Sequence, residues 1–454
     1  MGTASQTLAE FVAGMRFEDL PRDVIAAAKR HLLDAVGVAI AAADAGVDSP
    51  VVDMVRSWSG AHEASIIAYD FGAPAAMAAL ANGALAHALD FDDTHLESVV
   101  HPSAVIMPVT FAVAEETASD GRALLAAAVA GYEVATRVGA AAPGRFHARG
   151  LHTTGICGPF GAAATAGKLW NLTADEIAHA FGIVASGSAG LLASLTQGAS
   201  AKHLHPGWAA HAGVIAADLA RRGVTGPAAV FEGPHGLYDT FLAGEDVDIA
   251  RVTRDLGEQW ETMRIAHKPY PACEFLHAFM DAAQQTRLKW ADIEEIECRI
   301  APGAIDIVAE PRAPRLHPEN TAAAQFSLPF AVATVIVGGR EGIELFGDEA
   351  RADRRVLTLA ERVIHEPDPT LDFPHAYGGT IVIRTRSGRE IEIAEPINRG
   401  HPDRPLTERE LADKFVANAR GRFGARAAKK LLTRLQCLDE VRDVDALMES
   451  FRLA

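Results

Sequence analysis

The sequence predicts a mainly α-helical protein, with a large all-helical domain and a smaller α+β domain. Three observations support this fold class. From residue 5 to about 265 the chain is rich in alanine, and apolar residues recur at intervals of three and four, as in helices. After Pro269 and Pro271, alternating apolar and polar stretches indicate strands. From Thr407 the helical pattern returns and continues to the end.

The helices of the first part follow from their apolar faces and from the residues at their ends. Pro21 stands at a predicted helix start, apolar residues from Ile25 to Ile40 repeat on one face, and Gly46 ends the run. Further helices, most of them bounded by Gly, Pro or a Thr or Asp cap, are predicted at about 73–89, 103–119, 122–140, 157–170, 174–187, 206–222 and 227–233.

The second part mixes strands and helices. Residues 296–300 alternate between apolar and charged side chains, and two alternating segments around Ser387-Gly388 predict a β-hairpin at 380–386 and 390–394. Helices are expected near 274–286, 321–338 and 351–363. We therefore predict a helical domain at 1–267, an α+β domain at 268–404, and C-terminal helices at 405–454 that return to the helical domain.

The composition excludes several classes of protein. Of 454 residues, 42 are Lys or Arg and 59 are Asp or Glu, so the net charge is −17 and we expect no nucleic-acid partner. Apolar stretches such as Ala35 to Ala43 are shorter than a membrane span, and the N-terminus lacks a signal-peptide pattern. We expect a cytoplasmic protein that does not bind membranes. Its four separated cysteines indicate neither a disulfide framework nor a thiolate metal site.

The densest polar cluster is AHALDFDDTHLESVVHPSA, at residues 86–104. A helix is expected to end near Asp90, and the following loop presents carboxylates, Thr94 and two histidines. The acidic residues and Thr94 can serve as helix caps. Histidines and carboxylates also suit a metal ion, but no HExxH spacing is present. The other interpretation is acid/base chemistry, in which Asp90 orients His101 and His101 takes or gives a proton.

A second cluster, GLHTTGICGPFG at residues 150–161, places His152 before a predicted helix start. Its four glycines permit close backbone approach, which suits either an anion at exposed N–H groups or tight packing between helices. Neither GxGxxG nor a Walker pattern is present, so a nucleotide site is weakly supported.

Two further clusters contain lysines, although the chain has only eight of them. GASAKHLHPGWAAHAG, at residues 198–213, places Lys202 just before a predicted helix start at Pro206, where a cation opposes the helix dipole. This position favours contact with an anionic ligand, although a solvated lysine remains an alternative. HKPYPAC, at residues 267–273, places Lys268 and Cys273 at the predicted domain boundary.

Together the four clusters resemble the MmgE/PrpD family, which contains 2-methylcitrate dehydratases, cis-aconitate decarboxylases and iminodisuccinate epimerases. The resemblance runs from about Thr7 to Met448, and its most specific stretches are NGALAHALDFDDTH with HPSA, LHTTGICGPFGAAA, AKHLHPGWAA, KPYPAC and AQFSLPFAVA. It implies a large helical domain with a smaller α+β lid, a homodimer and no organic cofactor. We also predict no metal site.

The resemblance carries the family's acid/base and substrate-contacting positions onto Asp90, Thr94, His101, His152, Lys202 and Lys268. Two positions depart from the cis-aconitate decarboxylases. Cys273 stands where they place a further histidine, and Phe330 stands where they carry a tyrosine. Both departures weaken the decarboxylase interpretation, and a cysteine at 273 is also compatible with the epimerases.

The resemblance implies a small polycarboxylate substrate, from which a proton is removed next to a carboxylate. We predict catalytic roles for His101, Asp90, His152 and Lys268, and substrate binding by Thr94, Lys202 and Cys273. The leading hypothesis is a cofactor-independent lyase, namely a dehydratase of a di- or tricarboxylate of the 2-methylcitrate type. The alternatives are an epimerase or isomerase of an amino- or imino-dicarboxylate, a cis-aconitate-type decarboxylase, and a carboxylate-binding protein without catalysis.

Overall fold

The computed structural model of the chain describes residues 2–47, 49–58, 60–194, 199–371 and 376–453. Helices predominate and the sheets are small, so the mainly α-helical class is confirmed. The chain forms two compact units. One comprises Met1–Ala88, Asp92–Ile265 and Glu408–Ala454, and the other comprises Leu89–Phe91 and Ala266–Thr407.

The first unit is built from helices. Its α-helices are Ala4–Gly14, Arg22–Asp44, Ser49–Trp58, Ala75–His87, Ser103–Glu116, Gly121–Ala140, Arg145–Ala148, Thr153–Leu169, Ala174–Ala185, Ala201–Arg221, Leu237–Phe241, Glu408–Phe423, Ala425–Gln436 and Val444–Met448. Short strands at Ala64–Ser65 and Gly72–Ala73 pair antiparallel, and Thr94–His95 and Ile265–Ala266 are further two-residue strands.

Polar side chains define where several of these helices begin. Asp120 accepts hydrogen bonds from the N–H groups of Arg122 and Ala123 at the start of Gly121–Ala140. Thr173 and Glu176 form a reciprocal capping box at the start of Ala174–Ala185. These caps satisfy backbone donors that have no partner inside a helix, which explains why the sequence signals located both starts correctly.

Two expectations about helices in this unit are wrong. No helix forms at 227–233, where Val230 and Phe231 are buried and Phe231 packs on Phe160 at a ring distance of 5.0 Å. Tertiary burial, rather than a helical face, explains that apolar run. The helix expected to start at Pro206 instead begins at Ala201. Pro206 has no N–H to donate to the Lys202 carbonyl oxygen four residues earlier. The helix therefore loses one backbone hydrogen bond at this position, near its start.

Two helices of the first unit approach unusually closely. A methyl group on Gly83, in Ala75–His87, would lie 2.8 Å from the Cα atom of Gly207 in Ala201–Arg221. A methyl group on Gly207 would lie 2.4 Å from the carbonyl oxygen of Leu80. Only glycine at both positions permits this backbone contact.

The helix Gly121–Ala140 has the length and apolar composition of a membrane span. However, 94% of its most apolar 18-residue stretch is buried within the protein. Burial of this kind is typical of a core helix.

The second unit contains a four-stranded sheet with helices. The strands lie in the order Val363–Pro367, Ile293–Ile300, Gly379–Thr385 and Glu390–Glu395. The first pair is parallel and the others are antiparallel, which confirms the predicted hairpin. The α-helices are His277–Gln285, Pro302–Val308, Arg312–Leu316, Thr321–Ala324, Leu328–Val337, Asp348–Ala352 and Arg354–Ala360.

Side-chain caps also divide two helices that the sequence predicted as continuous. The segment 321–338 forms two helices because Ser327 accepts a hydrogen bond from the Phe330 N–H and starts Leu328–Val337. The segment 351–363 is divided in the same way by Asp353, which accepts from the Arg355 N–H. Apolar periodicity continued through both breaks, so the caps were the informative signal.

Candidate active site

Five histidines of the first unit gather around one lysine and one aspartate. The histidines are His87, His101, His147, His152 and His205, and the charged residues are Lys202 and Asp92. The ring centroid of His87 lies 4.8 Å from that of His101 and 5.5 Å from that of His152. All of these residues except His147 come from three of the four sequence clusters, and helix ends and the loop between helices bring them together. Of the third cluster, Gly198 lies outside the described residues.

A line of hydrogen bonds joins Lys202, His87 and Asp92. The Lys202 Nζ atom lies 2.9 Å from His87 Nε2, and His87 Nδ1 lies 2.8 Å from Asp92 Oδ2. An ammonium group can only donate, so His87 accepts at Nε2 and carries its proton at Nδ1, which donates to Asp92. All three side chains are buried. The line therefore holds a cation and an anion at fixed positions on either side of a neutral imidazole.

His101 is held by one ring nitrogen. Its Nδ1 atom lies 3.0 Å from the carbonyl oxygen of Asp93, 3.4 Å from Asp92 Oδ2 and 3.4 Å from Thr94 Oγ1. A carbonyl oxygen only accepts, so Nδ1 carries the proton. Its backbone N–H donates to Thr154 Oγ1 at 3.0 Å, which fixes the loop to the helix Thr153–Leu169. Among the residues that the structure describes, none hydrogen-bonds His101 Nε2.

The carboxylate beside His101 differs from the one that we predicted. We assigned the orienting role to Asp90, but Asp92 lies against the His101 ring. Asp90 belongs to the second unit, where its Oδ2 and carbonyl oxygen lie 3.1 and 3.0 Å from Lys268 Nζ. The backbone explains the difference, because Asp90 has a φ of 48°, a left-handed turn that the sequence did not reveal.

His152 contacts a second histidine. It precedes the helix Thr153–Leu169, and its backbone N–H donates to the carbonyl oxygen of Gly190 at 3.0 Å. His152 Nδ1 lies 3.0 Å from His205 Nδ1, so one of these nitrogens donates to the other. His152 Nε2 is buried and has no hydrogen-bond partner among the described residues. This nitrogen is available to a bound molecule.

Burial keeps most of the imidazoles uncharged. Burial, together with the charge of Lys202, lowers the pKa of His87 to about 3 and the pKa of His205 to about 4. The pKa of His147 is lowered to about 3 and the pKa of His152 falls well below its usual value, again chiefly through burial. Burial opposes the charge on Asp92, but the imidazoles of His87 and His101 that donate to it hold its pKa well below the usual range.

A second buried network supports the loop that carries His101. The Asp93 carboxyl group accepts hydrogen bonds from the N–H and the hydroxyl group of Ser103, and that hydroxyl lies 2.8 Å from the hydroxyl group of Tyr132. Burial raises the pKa of Asp93 well above its usual value. These bonds hold the Asp93 backbone, whose carbonyl oxygen lies 3.0 Å from His101 Nδ1.

The remaining predicted residues lie in the second unit. Cys273 is buried, and its backbone N–H donates to the Gln325 carbonyl oxygen at 2.9 Å. Gln325 in turn donates to the carbonyl oxygens of Leu89 and Pro271. Phe330 is completely buried and packs near Phe346, with ring centroids 6.2 Å apart. Phe330 is therefore a core residue of this unit.

Two groups of side chains in the described part of the chain are close enough to bind a metal ion. The nitrogens of His87, His101 and His152 lie within 4.8 Å of one another. Both nitrogens of His87 already have partners, so a metal ion would have to displace Lys202 or Asp92. The second group, around Glu261, already contains the Arg251 guanidinium at 2.7 Å. Both arrangements are better suited to hydrogen-bond networks than to a metal ion.

Sequence reasoning missed four members of the site: His87, Asp92, His147 and His205. His87 and Asp92 were present in the densest polar cluster, and the helical spacing from Gly83 to His87 could have placed His87 on the face that meets the neighbouring helix. His205 follows Lys202 by three residues, so both lie on the same side of their helix. His147 stood outside every cluster and gave no such signal.

The first unit thus contains a cluster of five imidazoles, four of which are kept uncharged chiefly by burial, with one carboxylate and one lysine. Residues 6–250 match the MmgE/PrpD N-terminal domain and residues 270–440 match the MmgE/PrpD C-terminal domain. The chain belongs to the MmgE/PrpD family.

Curated relatives extend over the whole chain. A cis-aconitate decarboxylase-like protein of Aspergillus oryzae is 25% identical over 468 residues, which cover 98% of this chain and 97% of that protein. The cis-aconitate decarboxylase of Mus musculus is 26% identical over 470 residues, covering 98% and 92%. That of Aspergillus terreus is 28% identical over 298 residues, covering 63% and 60%. These similarities support an enzyme of the lyase type at the level of the family.

Proposed function

We propose that the protein is a cofactor-independent lyase, a dehydratase that removes a proton next to a carboxylate of a small di- or tricarboxylate of the 2-methylcitrate type. The observation that carries the proposal is the hydrogen bonding of His101. Its Nδ1–H is fixed by the Asp93 carbonyl oxygen and by Asp92, and no described residue hydrogen-bonds its Nε2 atom. A neutral imidazole in this tautomer is a general base.

The proposed reaction divides the work among the residues of the cluster. His101 Nε2 takes the proton from carbon, and the resulting imidazolium is stabilised by the Asp92 carboxylate 3.4 Å from Nδ1. The electron pair of the C–H bond forms the new carbon–carbon double bond as the hydroxyl group leaves. His152 Nε2 gives a proton to that hydroxyl, which departs as water. The Lys202 ammonium stabilises the negative charge that develops on the substrate carboxylate.

The roles proposed for residues of the second unit rest on the resemblance of their sequence motif to the family. Lys268, paired with Asp90, is proposed to bind a carboxylate group, and Cys273 is proposed to contact the substrate. In the first unit, Thr94, whose hydroxyl lies 3.4 Å from His101 Nδ1, is proposed to contact the substrate as well.

The homodimer and the cytoplasmic location stay predictions.

A second candidate is decarboxylation of a cis-aconitate-type substrate, which is favoured by the similarity to the cis-aconitate decarboxylases of Mus musculus and Aspergillus terreus. Loss of carbon dioxide leaves a carbanion that must be protonated, and His101 or His152 could supply the proton. The departures at Cys273 and Phe330 argue against this candidate. Elimination, decarboxylation and epimerisation can be separated by proton NMR in deuterated water, because the products are an alkene, a shortened acid and a deuterated substrate.

The test is turnover of a panel of polycarboxylates, beginning with 2-methylcitrate, by the wild type and by His101→Gln. We expect the variant to lose about 10²- to 10⁴-fold in kcat, the usual contribution of a general base. The matched control is His179→Gln, because His179 lies in the same unit and its Nδ1 atom lies 3.2 Å from the Gly226 carbonyl oxygen, outside the histidine cluster. Wild-type inactivity on every hydroxy-polycarboxylate would refute the dehydratase, and full activity of His101→Gln would refute the assigned base.

A further inference from the structure

We infer that His205 is a proton relay, which carries protons between His152 in the buried cluster and a solvent-accessible cavity. The inference rests on the proposed function, because it assigns His152 the acid role in that reaction. It concerns a residue for which the sequence predicted no role.

The geometry of the two rings is suited to direct proton transfer. Their Nδ1 atoms lie 3.0 Å apart, which is a hydrogen-bond distance, and their centroids lie 5.1 Å apart. Gly190 fixes this arrangement from one side. It has a φ of +153°, and a methyl group there would lie 3.3 Å from His205 Nδ1 and 3.4 Å from His152 Cβ. Its carbonyl oxygen also accepts the His152 N–H.

The two rings differ in their access to solvent. His152 is completely buried, whereas His205 is partly exposed and lines a cavity of about 420 Å³ in the same unit. Trp208, on the same helix and in the same cavity lining, is 49% exposed, so the cavity is open to solvent. The cavity lining also includes small residues, Gly155 and Gly190, that leave room for water. His205 is therefore the link between a buried acid and the outside.

The relay proceeds by a change of tautomer rather than by the formation of a stable cation. His152 Nε2–H gives its proton to the leaving hydroxyl group of the substrate. The His205 Nδ1–H proton moves to His152 Nδ1, and His205 Nε2 takes a proton from water or buffer in the cavity. Both rings are neutral before and after, which agrees with the lowered pKa values of both histidines. The cycle closes after the product leaves: the proton that His101 took from carbon passes through water to His152 Nε2, the His152 Nδ1 proton returns to His205 Nδ1, and His205 Nε2 releases its proton to the cavity, which restores the resting tautomers.

The resting tautomers provide a test that requires no substrate. Nitrogen-15 NMR of protein labelled at histidine, with signals assigned through His152→Gln and His205→Gln, reports which nitrogen of each neutral ring carries hydrogen. The relay requires hydrogen at Nε2 of His152 and at Nδ1 of His205. The opposite arrangement, with hydrogen at His152 Nδ1, would overturn the inference whatever the enzyme's substrate.

Kinetics with a small-molecule donor test the transfer itself. We expect His205→Ala to lower kcat by roughly tenfold to 10²-fold in dilute buffer, at the lower end of general acid/base effects, with little change in KM. Added imidazole should restore kcat in a saturable manner, because the deleted ring leaves its space open to the cavity. The matched control is His211→Ala, which alters the same cavity lining but whose Nδ1 faces the Ala76 carbonyl oxygen.

Two kinetic outcomes would overturn the relay. One is an unchanged kcat for His205→Ala in dilute buffer, and the other is a loss that imidazole does not restore while the thermal melting temperature equals that of the wild type. Failure of the proposed function is recognised separately, since the wild type would then convert none of the polycarboxylates. In that case the resting tautomers still decide whether the His152–His205 pair is arranged for transfer.

Discussion

Replacement of Asp92 by asparagine removes one negative charge from the centre of the histidine cluster with almost no change of volume. The amide side chain of Asp92→Asn retains an oxygen that can accept the His87 Nδ1–H, so the line from Lys202 through His87 is preserved. The lost component is the carboxylate charge beside His101. We expect kcat to fall because the imidazolium that forms on proton abstraction is no longer stabilised.

The distance between the two groups sets the magnitude. For a full positive charge 3.4 Å from the carboxylate and an effective dielectric constant of about 20, the Coulomb energy is about 5 kcal/mol. A half-developed charge in the transition state gives about 2.4 kcal/mol. At about 1.36 kcal/mol for each factor of ten, the expected loss in kcat lies between about 50-fold and about 4,000-fold.

The assay is turnover of whichever polycarboxylate the wild type converts, followed by proton NMR under saturating substrate. Asp93→Asn is the matched control, since Asp93 is adjacent and equally buried, but burial raises its pKa well above the usual value and so favours its uncharged form. Its amide variant changes little charge and should retain activity within a few-fold. Asp92→Asn with nearly wild-type kcat, or an Asp93→Asn loss of equal size, would refute the electrostatic argument.

Two further predictions concern stability. Lys414 Nζ lies 2.8 Å from Asp34 Oδ1, and both side chains are buried, so Lys414→Met should lower the free energy of unfolding by about 3–5 kcal/mol. Adding Asp34→Leu should recover much of that loss in urea denaturation, whereas equal melting of Lys414→Met and wild type would contradict the prediction. Burial opposes ionisation of Glu261, but hydrogen bonds from His95 and Arg251 lower its pKa to about 2. Its stabilisation is present above its unfolded pKa of about 4.5 and is lost as pH falls through about 2, so the wild type and Glu261→Gln should converge in acid denaturation, and a constant gap would exclude this linkage.

Much of the secondary structure could be predicted because its signals are local. The caps at Asp120 and Thr173 and the turn at Ser387-Gly388 determine backbone geometry through neighbouring atoms. The segment 227–233 could not be predicted, because Phe231 is buried by Phe160, which lies far away in the sequence. Apolar periodicity alone does not distinguish a helical face from a loop that is buried by tertiary contacts.

The site was predictable in its residue types more than in its pairings. His101, His152 and Lys202 lie in one cluster, as their shared polar motifs suggested. Which carboxylate, Asp90 or Asp92, lies beside His101 depends on the left-handed backbone conformation of Asp90. This conformation turns the chain, so that nearby carboxylates point in different directions. The tautomers could not be predicted either, because they follow from which carbonyl oxygen or ammonium group faces each ring.

The contact between Gly83 and Gly207 gives the site a vulnerability that involves no reactive group. Both residues lie about one helical turn from the chemistry, Gly83 four residues before His87 and Gly207 five residues after Lys202. A single added methyl group would separate the two helix axes and lengthen the 2.9 Å contact between Lys202 and His87. Replacement of either glycine by alanine, usually the mildest change in a helix, is thus expected to disrupt this contact. Their intolerance to mutation would resemble that of catalytic residues although neither touches a substrate.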